Sequence, residues 1–144
     1  MARSTDHDPF HCFRFAPRIG YDGEAIGVSK LDLHPGVPWH GPGKVIIESM
    51  LKPDMIDLAK INTALPLVVG VYHITDELST TGDPSLRIVL ANVFPSRCKF
   101  EMSPLDAADN GVLRVKLTMR YDRLTFLFGN NKELNVLDKM AAAV

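Results

Sequence analysis

The side chains able to do chemistry in this chain are few and do not converge on a familiar pattern. His7, His11 and Cys12 lie close together, and His34 and His40 bracket the single tryptophan, Trp39. A structural or hydrolytic zinc site needs His and Cys at short, repeated spacings that put them on one side of a turn or helix, and no ribbon, finger or HExxH spacing is present. A serine nucleophile on a strand-to-helix elbow needs glycine on both sides, and Gly27-Val28-Ser29-Lys30-Leu31 lacks the second one. Cys12 next to His11 is no nucleophile–base pair, because neighbours in a strand point to opposite faces. Gly41-Pro42-Gly43-Lys44 lacks the rest of a phosphate loop. Asp54 and Asp57 read as acids placed at the positive end of a helix dipole, not as a carboxylate dyad. No catalytic, cofactor-binding or metal-ligating residue is therefore assigned, and no cofactor is expected. A small β-barrel ligand-binding protein or enzyme built on His34, Trp39, His40 and His73 stands as an alternative.

Surface chemistry is more informative. Arg114, Lys116 and Arg120 recur on the polar side of a strand that runs VLRVKLTMRYDR from Val112 to Arg123. Without interleaved aromatics, that basic face is a solvated face or a subunit contact rather than a platform for stacking bases. Trp39 and His40 sit in HPGVPWHGPGK, residues 34–44, where three Pro and three Gly exclude helix and central strand. A loop of this length carries function or moves. Trp39 either meets a partner or folds back as a lid on its own core. Trp39, His40, Arg114, Lys116 and Arg120 are the candidate inter-subunit contacts.

These residues must be held by a small domain rich in short strands. The chain has 144 residues, 46% hydrophobic and 23% charged, with ten Gly and ten Pro. That is one domain with one core, broken by many turns. The net charge of −1 argues against a protein that coats a polyanion. No apolar run approaches the ~20 residues that span a bilayer, so no membrane anchor is expected. MARSTDHDPFH lacks an apolar signal core, which predicts synthesis in the cytosol without export by an ordinary signal peptide. Cys12 and Cys98 are too few for a disulfide scaffold and read as small buried residues, though pairing within or between chains stays open.

Residues 1–9 read as a flexible arm. Phe10–Phe15 and Glu24–Leu33 read as two strands of a hairpin turned at Gly20-Tyr21-Asp22-Gly23. Lys44–Leu51 reads as a strand, and Pro53–Ala64 as a helix with Met55, Leu58, Ala59 and Asn62 on one stripe. Leu67–Thr75, Leu86–Phe94 and Cys98–Met102 read as further strands, the last with Cys98, Phe100 and Met102 turned inward. In the clearest strand, Leu113, Val115, Leu117, Met119 and Tyr121 face the core. Residues 129–144 form a tail whose Leu134, Leu137 and Met140 stripe predicts a short helix needing a docking surface. Residues 1–85 carry seven basic and eleven acidic side chains, and residues 86–123 seven basic and four acidic, an asymmetry suited to head-to-tail association.

The order of these elements resembles the tail-tube proteins of contractile bacteriophages, which share a fold with the secreted ring protein of type VI secretion. DPFHCFRFAPRIGYDGEAIGVSKLDL is similar to the family's opening section, an aromatic strand and a short turn. PDMIDLAKINTA stands mid-chain, where the family has its helix. LRIVLANVFPSRCKFEMSPLDAADNGVLRVKLTMRYDR resembles the closing section, with an aromatic-Pro step and a last strand ending near Tyr121. The resemblance implies a mainly β fold, sandwich- or barrel-like, with one embedded α-helix, spanning residues 10–128 between the arm and the tail. It implies homo-oligomeric, hexameric rings stacked into a tube in the virion tail, with sheath and baseplate proteins as partners and DNA passing through the lumen without specific binding. In the family the segment matching residues 34–44 reaches the adjacent ring. A baseplate or tail-end ring protein and the type VI ring protein are the variants of this reading. In such an assembly Cys12 and Cys98 become candidates for a disulfide between subunits.

Overall fold

The computed structural model describes residues 15–20, 23–72 and 84–128. Eight strands and one helix follow in the order β1 (Phe15–Ile19), β2 (Lys30–Pro35), β3 (Gly43–Met50), α1 (Pro53–Ala59), β4 (Leu65–Val71), β5 (Leu86–Val93), β6 (Lys99–Met102), β7 (Arg114–Tyr121) and β8 (Arg123–Phe128). They make two four-stranded antiparallel sheets, ordered β1-β4-β5-β8 and β2-β3-β7-β6. The mainly β class with a single embedded helix is as expected from the sequence.

The core lies between the sheets because each contributes one apolar face. Val45 and Ile47 of β3 and Val115, Leu117, Met119 and Tyr121 of β7 come from one sheet. Leu67, Val69 and Val71 of β4, Leu86, Leu90 and Val93 of β5, and Leu124 of β8 come from the other. The period-two alternation along β7 places its inward residues as the sequence predicts. Helix α1 adds Met55 and Leu58 to this core. Pro53 opens the helix, where a missing N–H costs nothing.

Several expectations are corrected. The helix ends at Ala59, not Ala64. Its last bonds tighten to Lys60 N–H to the Asp57 carbonyl and Ile61 N–H to the Leu58 carbonyl. The chain then ties to the 3₁₀ turn at Pro95–Arg97, where Ser96 N–H meets the Ile61 carbonyl at 2.9 Å and Ser96 Oγ meets Asn62 Oδ1 at 3.0 Å. Of the strand expected over Phe10–Phe15 and the turn at Gly20–Gly23, all but Phe15, Gly20 and Gly23 lie outside the described residues, and among the described residues β1 does not pair with β2. The two strands belong to different sheets; β1 is tied instead to the segment before β2, by the bridge Arg18–Ala25 and by Ile26 N–H donating to the Pro17 carbonyl at 2.7 Å. The Pro/Gly loop is shorter than expected, because His34 and Pro35 end β2 and Gly43 and Lys44 start β3.

The strand expected over Val112–Arg123 runs from Arg114 to Tyr121, and a further strand, β8, follows it. The chain turns at Asp122, whose N–H donates to the Ala91 carbonyl at 2.9 Å and whose carboxylate accepts from Asn92 Nδ2 at 3.0 Å. Opposite this corner β5 shifts register: Leu67 pairs with Leu90 but Leu65 with Val93. Asn92 absorbs the shift at φ 57°, a left-handed conformation that Asn tolerates. The bulge returns Val93 to the core face, fully buried.

Candidate assembly surfaces

Among the described residues, each sheet has one tied edge and one edge without a further strand. On the β1–β2 side the sheets are stitched together by the Arg18–Ala25 bridge and by Ser49 Oγ donating to the Gly27 carbonyl at 2.9 Å. On the far side lie β8 and β6. All four residues of β6 are exposed. Phe100 and Met102 pair with Leu117 and Val115 and so share the core-side face, yet they are 41% and 51% exposed. The inward alternation is right, but the burial expected for them is not found, because among the described residues no strand of the other sheet covers that edge. β8 behaves likewise: Phe126 and Phe128 lie on the face of buried Leu124 but are 39% and 57% exposed. Exposed apolar edge strands are a liability for a lone domain and a ready surface for a partner strand.

The loop between β2 and β3 sits against β8. Leu124 N–H donates to the His40 carbonyl at 3.0 Å, and the Trp39 ring lies 5.6 Å from that of Phe126. The His40 ring meets Trp39 edge-on at 5.2 Å. Trp39 folds back on Phe126 and still leaves 54% of its surface open.

The outer face of sheet β2-β3-β7-β6 carries its charges in rows set by strand register. Lys30, Glu48, Lys116 and Glu101 follow one another across the four strands, with alternating sign. Lys30 Nζ is 3.7 Å from Glu48, and Lys99 Nζ is 3.7 Å from Glu101. Lys116 therefore lies between two carboxylates in register. Arg114, opposite Met50, donates to Ser29 Oγ at 2.9 Å. The row at the other end is different: His34, Lys44 and Arg120 stand side by side with no acid between them. None of the three has a side-chain hydrogen bond or ion pair among the described residues. They line a cleft of about 410 Å³ together with Pro42, Gly43, Tyr121 and Asp122.

Tyr121 was not singled out as a site residue by its position in the strand. It is 1% exposed, and its hydroxyl finds no hydrogen-bond partner among the described residues. Burial raises its pKa above the ordinary 10.0. Its ring packs over Gly43, its register partner, where any Cβ would collide with the phenol. Cys98 is half-buried with a free thiol whose pKa is raised by burial, opposed by a backbone hydrogen bond. Cys12 and His73 lie outside the described residues, as do the 1–9 arm and the helix expected in 129–144. Among the described residues no group of three or more His, Cys, Asp or Glu side chains is placed to hold a metal.

No protein-family model matches the chain, and no curated protein matches it in sequence. Solved structures do match in fold. A component of the anti-feeding prophage cap that terminates its tube aligns with a TM-score of 0.63 over 89% of this chain and 97% of the other, at 12% identity. A component of the sheath–tube complex of the extracellular contractile injection system PVC aligns at 0.60, covering 89% and 100%, at 16% identity. A component of the anti-feeding prophage baseplate aligns at 0.57, covering 83% and 96%, at 18% identity. The chain shares its fold with these components of a prophage cap, a sheath–tube complex and a baseplate.

Proposed function

We propose that this chain is a structural subunit of the tube of a contractile, phage-tail-like particle. Copies associate side by side into rings of six, and the rings stack into a conduit inside a sheath on a baseplate, in the tail of a virion. The observation that carries this reading is the pair of exposed, apolar strand edges, β6 and β8, on a fold shared with tube-type proteins. Closing such edges against neighbouring copies removes the aggregation hazard and makes a continuous wall. Near-neutral net charge suits a wall past which DNA moves without being held. The role needs no catalytic group. The likeness to a tube-terminating cap favours a second reading, a single ring that closes the end of the tube.

Negative-stain electron microscopy of the purified protein, with light-scattering mass, tests both. Long tubes of uniform width support the tube subunit, and isolated rings of defined mass support the cap. A strict monomer at high concentration refutes both. Trp39→Ala should reduce assembly while leaving the monomer's melting temperature nearly unchanged, since Trp39 is half-exposed.

A further inference from the structure

We propose that the acidic β6–β7 loop of one copy seats on the basic end of the β2-β3-β7-β6 sheet of the next. Leu105, Asp106 and Asp109 are the inserted group, and His34, Lys44, Arg120 and Trp39 receive it. The proposal rests on the self-assembly reading above and names what holds successive copies together.

Like charges directly opposite in a sheet are destabilising, and Lys44 and Arg120 keep them, with His34 beside Lys44 and no acid in the row. The same face neutralises its other long row by strict alternation, Lys30–Glu48–Lys116–Glu101. A row with no paired acid among the described residues, beside an open cleft, favours an added anion. The matching anions are at the opposite end of the same sheet. The loop from Ser103 to Leu113 enters β7 at Arg114, and Arg120 lies near the other end of that strand. Eight residues of strand hold the two ends roughly 24 Å apart, beyond the ~8–10 Å screening length. The loop therefore cannot satisfy its own copy's basic row.

The loop is built to project. Asp106 Oδ1 accepts from Ala108 N–H at 3.0 Å and Asp109 Oδ1 from Gly111 N–H at 2.7 Å, so both carboxylates brace turns and keep a second oxygen outward. Leu105, beside them, is 82% exposed and offers an apolar anchor for the exposed part of Trp39 in the β2–β3 loop. Helix α1 at the same end also bears acids, but it lies down on the core through Met55 and Leu58. The Asp122 carboxylate in the cleft wall is engaged by Asn92 Nδ2 at 3.0 Å, and the chain's net charge of −1 disfavours nucleic acid as the occupant. A contact between opposite ends of one molecule is heterologous and propagates, as a stack requires.

Charge reversal tests the pairing. K44E/R120E makes both ends acidic, and D106K/D109K makes both ends basic. Each variant alone should raise the protein concentration needed for assembly at least tenfold. An equimolar mixture should restore tubes, because every contact is then complementary. The mixture also controls for misfolding, with a circular-dichroism melt of each variant beside it. D106N/D109N keeps the turn acceptors, removes the charge, and should weaken assembly by itself. If wild type forms tubes and the reversed variants form them equally well, the pairing is wrong and the tube reading stands. Variants that fail alone and also fail when mixed overturn the pairing. A wild-type protein that never assembles overturns both. Tubes that form only with added duplex DNA overturn the pairing in favour of phosphate as the occupant.

Discussion

Tyr121→Phe should stabilise the folded monomer. The Tyr121 side chain is 1% exposed, and its hydroxyl has no partner among the described residues. Leaving a buried hydroxyl unpaired costs about 1–3 kcal/mol, because its bonds to water are lost and not replaced. Removing the oxygen also removes its contact over Gly43, worth a few tenths of a kcal/mol for one buried atom. The first effect outweighs the second, so a net gain of about 1 kcal/mol is expected, or about 3–4 °C in Tm for a domain of this size. The pH dependence gives a second handle. Burial raises the phenol pKa, so the unfolded chain releases its proton first, near the ordinary 10.0. The folded state then holds more protons than the unfolded one, and stability falls as pH rises through and above that value. Tyr121→Phe abolishes this part of the alkaline loss. Calorimetric melts of both proteins between neutral pH and pH 11 measure it. A lower Tm for the variant at neutral pH would show that the hydroxyl makes a bond worth more than its burial costs, and would refute the reasoning.

Gly43→Ala should destabilise by about 1–3 kcal/mol, since its Cβ would sit on the Tyr121 phenol and 2.9 Å from the His34 carbonyl; a urea melt reads the loss. Leu117→Ala, at a fully buried position in the middle of β7, should cost about 2–5 kcal/mol and lower the urea midpoint accordingly. Cys98 should react with iodoacetamide more slowly in the folded protein than in urea at pH 8–9. Burial raises its pKa above 9.0, and only the thiolate attacks.

The strands that were easiest to read are those with one face in the core. β7 shows its period over Val115, Leu117, Met119 and Tyr121, and all four are buried. Edge strands mislead for a physical reason. β6 alternates as cleanly as β7, but alternation reports which face a residue points to and not whether another layer covers that face. Phe100 and Met102 point to the core side and are exposed because the sandwich ends there. β8 went unread because Asp122 turns the chain without a Gly or Pro to mark the corner. Its stop is made by long-range bonds to Ala91 and Asn92, partners about thirty residues away. The helix was read five residues too long because Ile61 and Asn62 fit its period; Ser96 claims both of them for a turn instead.

Charge behaves in the same way at the assembly surfaces. Along β7 alone, Arg114, Lys116 and Arg120 look like one basic stripe. Register separates them: Lys116 falls between Glu48 and Glu101, Arg114 falls beside Met50 and reaches Ser29, and only Arg120 meets another base, Lys44. Three residues of one type on one face therefore have three different electrostatic situations. The difference is set by which residues of β2, β3 and β6 arrive opposite; a two-residue slip would give each a different partner, and a one-residue slip would turn all three to the core face. A sequence shows the stripe, but cross-strand pairing decides which of its members is left needing a counter-charge. Lys44, with His34 beside it, becomes visible as a contact residue only through that pairing, and so the uncompensated row is the part of this surface that an acidic neighbour would best neutralise.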